Sequence, residues 1–162
     1  MDGMANSEQI MKNLFNIPEY RLHVAQRNNI QTIMLGFSDG TKDGGYLMAN
    51  WSIFKAKEKL TEVSRKYGVK AIFFDGRGGP PARGGGKTHR FYASQTNKIA
   101  NHAIQLTIQG QTITSRYGTK EHFNFNCEQL LTAGLSHSLS GKENIISDES
   151  RQMIEQLALI SF

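Results

Sequence analysis

Two segments of the sequence carry the side chains best suited to chemistry. The first places three charged residues close together among glycines: Asp39, Lys42 and Asp43. Carboxylates are hard oxygen ligands of the kind that Mg²⁺ and Mn²⁺ prefer, so this segment could hold a divalent metal. Because Asp, Gly and Lys are also ordinary turn residues, the segment taken by itself favours a structural turn over a metal site.

The second segment, residues 76–86, is rich in glycine and contains Arg77 and Arg83. Glycines let backbone N–H groups approach an anion closely, and guanidinium groups bind phosphate or carboxylate through paired hydrogen bonds. Pro81 stands where a dinucleotide fingerprint or a P-loop requires glycine or a small residue, so the segment matches neither motif. A solvated linker and a disordered RNA-binding segment stay open as alternatives. The position between a buried strand and a helical segment favours an anion site.

The hydrophobic pattern places each segment directly after a buried strand. Apolar runs at 32–35 and 69–74 predict the strands, and a stripe over 46–67 predicts an amphipathic helix between them, with Gly68 as its C-terminal cap. Strand, helix and strand at this spacing form a βαβ unit with parallel strands. Ligands of parallel α/β proteins bind at the carboxyl ends of strands, so we expect the two segments to lie on one face.

Further elements are predicted on both sides of this unit. Ser7 can cap a first short helix that Pro18 ends, and Pro18 opens a second helix reaching residue 28. The later elements are a strand or turn near 104–108 and helices near 121–135 and 148–160. The five histidines lack metal-ligand spacing, and Cys127 is expected to be a buried packing residue.

Composition narrows the class of protein. The 162 residues carry 19 Lys and Arg against 14 Asp and Glu, for a net charge of +5. No stretch approaches the roughly 20 consecutive apolar residues that a membrane span needs, so we expect no membrane association. The lone Cys127 cannot form an internal disulfide and no secretory signal is present, which indicates a cytoplasmic protein. The excess positive charge is concentrated at 70–90, which indicates a local anion site and no nucleic-acid partner.

The stretches MLGFSDGTKDGG at 34–45, FFDGRGG at 73–79 and RGGG at 83–86 occur in an order and spacing that resemble the phosphoenolpyruvate carboxylase family. The resemblance covers nearly the whole chain, including the segments around Gln109, Tyr117 and Leu157. That family has a (β/α)₈ barrel and joins phosphoenolpyruvate to bicarbonate, giving oxaloacetate and phosphate, with Mg²⁺ or Mn²⁺ as cofactor.

The resemblance assigns roles to individual residues. It implies that Asp39 is a metal ligand, Lys42 an active-site cation and Arg77 a catalytic, phosphate-binding residue. Arg83 would act in a mobile loop that serves both catalysis and feedback binding of a dicarboxylate effector such as aspartate. The implied substrate-binding residues of that loop are Arg77, Gly78, Gly79, Gly84 and Gly85.

The chain departs from the family pattern at Asp75, at Pro80 and Pro81, and in the later segment, where Gln105, Ile108 and Gln111 stand at positions that are commonly charged. Asp75 stands where the family usually has histidine, which replaces a possible cation with an anion beside the phosphate site. Pro80 and Pro81 replace a small polar residue and an aliphatic one, and should stiffen the loop.

Length sets the expected architecture. A complete barrel takes about 250 residues, so we expect residues 1–162 to form a single partial domain of the α/β class. This would be a partial (β/α)₈ TIM-barrel fragment with parallel strands and flanking helices, and the family's second metal-binding carboxylate and catalytic histidine would lie on other segments. Such a fragment should be inactive alone, and its open strand edges should promote self-association. The alternative is a small non-enzymatic module that binds anions or RNA through the Gly/Arg-rich loop.

Overall fold

The computed structural model of the chain describes residues 2–77, 86–139 and 144–161. Helices dominate this part of the chain and surround a small sheet. In chain order the elements are α1 (Asp2–Ala5), α2 (Ser7–Phe15), α3 (Pro18–Gln26), β1 (Ile30–Leu35), α4 (Phe37–Gly44), α5 (Tyr46–Lys66), β2 (Lys70–Asp75), α6 (Thr88–Ala93), β3 (Ile104–Leu106), α7 (Gln111–Tyr117), α8 (Lys120–Leu139) and α9 (Asp148–Ile160). Within these ranges no helix has both the length and the apolar character needed to cross a membrane.

The three strands form one parallel sheet in the order β1-β2-β3. Strand β1 pairs with β2 in a register that sets Ile30 opposite Lys70 and Leu35 opposite Asp75. Strand β3 pairs in parallel with the last residues of β2. The predicted α/β class, the parallel strands, the flanking helices and the βαβ unit are therefore confirmed.

Helix α5 provides the main apolar surface that covers the sheet. Its predicted stripe is buried against residues of the strands and of α2, and the cluster includes Ile53, Ala56, Leu60, Val63, Val69, Ala71, Phe73, Met11 and Phe15. The helix ends next to Gly68, as the sequence predicts. Gly68 adopts a φ of +69°, a backbone conformation that glycine allows and that residues with a side chain rarely adopt. The chain then turns at once into β2.

Strand β1 is less buried than its apolar sequence predicts. Leu35 is buried, but the Met34 side chain on the opposite face is 70% exposed. Since β1 is the first strand in the sheet order, one of its edges has no neighbouring strand among the described residues. The expectation of a strand buried on both faces is wrong for β1, because burial depends on neighbours that the described segments do not supply.

The cap of the first predicted helix also differs from expectation. Ser7 lies inside α2 as its first residue, and Asn6 occupies the N-cap position. By contrast, α9 has a side-chain cap, because the Ser147 hydroxyl accepts a hydrogen bond from the Ser150 backbone N–H at its start.

Candidate active site

The first charged segment forms a helix, α4, where its composition predicts a turn. Gly40 faces α5 so closely that an added Cβ would lie 3.4 Å from the Ala49 Cβ atom and 3.1 Å from the Met4 Cε atom. The Thr41 hydroxyl donates to the Phe37 carbonyl at 2.8 Å, which closes one turn of the helix. The glycine that resembles a turn residue in the sequence therefore serves close packing between α4 and α5.

Asp39 and Lys42 lie one helical turn apart on α4 and face solvent. The Lys42 Nζ and Asp39 Oδ1 atoms are 3.7 Å apart, and the two side chains are 59% and 89% exposed respectively. An exposed ion pair of this kind contributes little to stability, so a ligand could replace it at small cost. The structure thus brings these two predicted site residues together in an accessible position.

The carboxyl ends of β1 and β2 are in direct contact. The Gly76 backbone N–H donates to the Leu35 carbonyl at 3.1 Å. A Cβ atom at Gly76 would lie 3.2 Å from the same carbonyl oxygen, which is tighter than an ordinary contact. Gly76 and Arg77, the described beginning of the second motif, therefore lie at the same edge of the sheet as the start of α4.

Arg77 is enclosed by aromatic rings just beyond β2. Only 5% of the residue is exposed, and its Cζ atom lies 4.0 Å from the centroid of the Phe91 ring and 5.2 Å from that of Phe37. Burial lowers the pKa of Arg77, and the nearby Tyr46, Tyr92 and Asp75 act in the opposite direction. Because a guanidinium group stays protonated in proteins, the rings stabilise a buried cation through cation–π attraction.

Phe37 connects the two motifs. It is the first residue of α4, on which Asp39 and Lys42 lie, and its ring contacts the Arg77 guanidinium group. The Phe37 and Phe91 rings also meet edge to face, with centroids 5.5 Å apart. The sequence gives no direct sign of this aromatic enclosure, because Phe91 is separated from Arg77 by the whole glycine-rich segment.

Asp75 is fully buried and paired. Its Oδ2 atom accepts a hydrogen bond from Lys57 Nζ at 2.7 Å and another from the Tyr92 hydroxyl at 2.8 Å. The negative charge is therefore compensated inside the protein by a cation from α5. Asp75 is an anion two residues from Arg77, as the sequence indicates, but its charge is paired.

The buried setting shifts the pKa of both Lys57 and Tyr92. Burial lowers the pKa of Lys57, and the charge and hydrogen bond of Asp75 oppose that effect. Burial raises the pKa of Tyr92, and the neighbouring Asp75 raises it further, so the phenol stays a hydrogen-bond donor. The burial of Lys57 could be predicted from the sequence, because Lys57 lies four residues after Ile53 and three before Leu60, on the apolar stripe.

The remaining predicted site residues lie outside the described part of the chain. They are Gly78, Gly79, Arg83, Gly84 and Gly85, and the same holds for Pro80 and Pro81. Helix α6 follows the glycine-rich segment in the chain. Its first residue, Thr88, accepts a hydrogen bond from Arg116 of α7 at 3.3 Å. This contact brings a further cation toward Arg77, and its charge adds to the lowering of the Arg77 pKa.

The described residues offer only part of a metal site. No group of three or more His, Cys, Asp or Glu side chains that could hold a metal occurs among them. Asp39 and Asp43 line the same cavity of about 510 Å³, together with apolar residues such as Met11 and Leu35. Mg²⁺ commonly binds through one or two carboxylates together with water and substrate phosphate, so this donor set fits a partly protein-bound Mg²⁺ or Mn²⁺.

The fold and the site together define a class of protein. It is an α/β protein with charged side chains and a buried arginine at the carboxyl edge of a parallel sheet, the edge where such proteins bind ligands. The family model for phosphoenolpyruvate carboxylase matches residues 1–162. The chain belongs to the phosphoenolpyruvate carboxylase family.

Curated relatives carry the same name. The phosphoenolpyruvate carboxylase of Nitrosomonas eutropha is 36% identical over 164 residues, which cover 100% of this chain and 18% of that protein. The phosphoenolpyruvate carboxylase of Mycobacterium leprae is 38% identical over 145 residues, which cover 90% of this chain and 16% of that protein. The chain therefore spans less than a fifth of the length of these relatives.

Proposed function

We propose that the chain forms part of the catalytic barrel of a phosphoenolpyruvate carboxylase, which joins phosphoenolpyruvate and bicarbonate to give oxaloacetate and phosphate. The observation that carries this proposal is the buried Arg77 held at the carboxyl edge of β2, beside the helix that presents Asp39 and Lys42. The family match over the whole chain supports it. Nothing in the comparisons favours the alternative of a small anion- or RNA-binding module.

Arg77 is the residue proposed to bind the phosphate group. Its planar guanidinium can donate two parallel hydrogen bonds to phosphate oxygens, and the aromatic rings limit its motion. Among the described residues, Lys57 is paired with Asp75, and Arg77 and Arg116 are further cations near it. Cationic side chains of this kind suit a phosphate ester that carries negative charge.

Lys42 and Asp39 are proposed to act on the exposed side of the same edge. Lys42 would neutralise charge on the carboxylate or phosphate of the reacting molecules, and its ammonium group is exposed and lies 3.7 Å from Asp39 Oδ1. Asp39 would release this contact to bind Mg²⁺ or Mn²⁺. A divalent cation held there would supply positive charge that stabilises an enolate oxygen.

Several properties of the whole protein follow as proposals. Arg83 and Gly78, Gly79, Gly84 and Gly85 would complete the phosphate-binding loop, and Arg83 would take part in binding a dicarboxylate effector. A cytoplasmic location fits the sequence. The 162-residue chain alone should not form oxaloacetate, because it spans less than a fifth of its relatives and offers only part of a metal site.

Titration calorimetry with phosphoenolpyruvate tests the proposed site in the 162-residue chain. We expect saturable binding that Arg77→Ala abolishes. Arg27→Ala is the matched control, because Arg27 is an exposed arginine just before the amino end of β1, at the opposite edge of the sheet. Equal loss of binding in both variants, or unchanged binding in Arg77→Ala, would contradict the proposed phosphate site.

A further inference from the structure

We propose that Lys57, Asp75 and Tyr92 are positioning residues, which hold the Arg77 side chain in the orientation needed to bind a phosphate-bearing ligand. The proposal rests on the proposed phosphate-binding role of Arg77. It adds to that role three buried side chains, none of which has an assigned part in the reaction. They come from three separate elements, α5, β2 and α6.

The orientation of Arg77 depends on α6. Among the described residues, the aromatic ring nearest to the guanidinium carbon belongs to Phe91 of this helix, with its centroid 4.0 Å away. Helix α6 has six residues, a length at which its own backbone hydrogen bonds give little stability. Its position must therefore come from side-chain contacts with the rest of the protein.

Tyr92 supplies such a contact next to Phe91 in the sequence. Its hydroxyl donates to Asp75 Oδ2 at 2.8 Å, and its ring meets the Phe91 ring edge to face at 5.1 Å. Asp75 is the last residue of β2, and its carbonyl accepts a hydrogen bond from the Arg77 N–H at 2.8 Å. One residue thus fixes both the backbone of Arg77 and the helix that carries its stacking ring.

Lys57 completes the arrangement from α5. Its Nζ atom lies 2.7 Å from Asp75 Oδ2 and 5.0 and 5.1 Å from the ring centroids of Phe73 and Phe91. The same Phe91 ring therefore contacts two cations, Lys57 and Arg77. Lys57 holds both the carboxylate that anchors α6 and the ring that stacks on Arg77.

The charge of Lys57 has a second consequence for Arg77. Within the described ranges, the Oδ1 atom of Asp75 is buried without a hydrogen-bond partner, so this carboxylate can accept another donor. Asp75 lies two residues from Arg77 and already interacts electrostatically with it. Lys57 pairs with Asp75, and without this cation the Asp75 carboxylate would draw the guanidinium group toward itself and change its orientation.

The Arg77 side-chain Nε–H signal in ¹⁵N NMR tests this proposal without any ligand. The signal is assigned by its loss in Arg77→Lys, and the Phe91 ring current should shift it from the random-coil position. We expect Lys57→Met to move this signal and speed its exchange with water, and Lys57→Met/Asp75→Asn to restore both. Lys55→Met is the matched control, because Lys55 lies on the same helix and pairs with Glu155 of α9.

A ligand titration then measures the functional effect. We expect Lys57→Met to weaken phosphoenolpyruvate binding about tenfold, the effect of one lost charge-assisted hydrogen bond, and the double variant to recover most of it. If the wild-type chain binds no phosphoenolpyruvate, the proposed function fails, while the NMR comparison still decides the positioning role.

A folded Lys57→Met chain with an unchanged Arg77 signal would overturn the inference. If Lys57→Met does not fold, the Arg77 Nε–H signal is measured instead in Tyr92→Phe and in Lys57→Met/Asp75→Asn. Tyr92→Phe should speed exchange of the Arg77 Nε–H, because it frees α6 from Asp75. An unchanged exchange rate in Tyr92→Phe would also overturn the proposal.

Discussion

At the scale of single residues, the candidate site depends on how buried charges are compensated. Arg77 is stabilised by aromatic rings, whereas Asp75 is stabilised by an ion pair and a hydrogen bond. In both cases these contacts offset the free-energy cost of removing a charge from water. The exposed pair of Asp39 and Lys42 has no such requirement, which suits groups that must exchange partners.

Removal of Lys57 should destabilise the chain strongly. Lys57→Met leaves the buried Asp75 carboxylate without its cation, and we expect a loss of about 3–5 kcal/mol in the free energy of unfolding. The double variant Lys57→Met/Asp75→Asn should lose less than Lys57→Met alone, because it removes both charges together. Urea denaturation of the four chains of this double-mutant cycle measures the coupling. A Lys57→Met chain as stable as the wild type would show that the pair is not buried in solution.

At the scale of elements, α9 packs against α5 through polar contacts across their interface. Arg151 donates two hydrogen bonds of 2.8 Å to the Glu58 carboxylate, and the Trp51 indole and Lys55 both donate to Glu155. The apolar side of α9 is largely open, since Leu157 and Ile160 are exposed. The position of α9 therefore depends on charge pairing, which makes it sensitive to pH.

The Glu58 carboxylate gives this pH dependence a sign. Burial would raise the pKa of Glu58, but hydrogen bonds from Arg151 and Thr96 outweigh burial and lower it. Because the folded-state pKa is below the unfolded value of 4.5, this contribution is present above about pH 4.5 and is lost as pH falls.

As pH falls from about 5 to about 3, the wild-type chain should therefore lose stability more steeply than Glu58→Gln. Thermal or urea unfolding across this pH range measures the difference. Glu62→Gln is the matched control, since Glu62 forms an exposed pair with Lys66 one turn along the same helix and should leave the slope nearly unchanged. Parallel slopes for the wild type and Glu58→Gln would contradict the role of this pair.

The elements differ in how far the sequence predicts them. The βαβ unit and helix α5 follow from a clear hydrophobic pattern and a cap at Gly68, and the structure confirms them. Helix α4 was not predictable, because the packing of Gly40 against α5 is a tertiary contact that composition does not reveal. The pair of Lys57 and Asp75 lies on two elements, so only the three-dimensional fold joins them.

At the scale of the whole molecule, the described chain leaves apolar surface uncovered. Met34 on β1 is 70% exposed, and Phe125 and Leu131 of α8 are exposed as well. One edge of β1 has no partner strand among the described residues. These features are what a segment of a larger barrel would show, and they agree with a chain that spans less than a fifth of its relatives.

The isolated chain should self-associate through this surface. Open strand edges pair readily with other chains, and a charged side chain on the edge suppresses such pairing. We therefore expect sedimentation velocity to show concentration-dependent association of the wild-type chain, reduced in Met34→Lys. Gln26→Lys, at an exposed position on α3, is the control because it adds the same single positive charge. A monomer at every concentration would contradict the expectation.

The most direct test of the central claim, that Arg77 forms the phosphate site of a phosphoenolpyruvate carboxylase, is a crystal structure of the chain with phosphoenolpyruvate. We expect phosphate oxygens within hydrogen-bond distance of the Arg77 guanidinium group, with the ion pair between Lys57 and Asp75 still formed. Phosphoenolpyruvate bound elsewhere, with Arg77 paired instead to the Asp75 carboxylate, would contradict it.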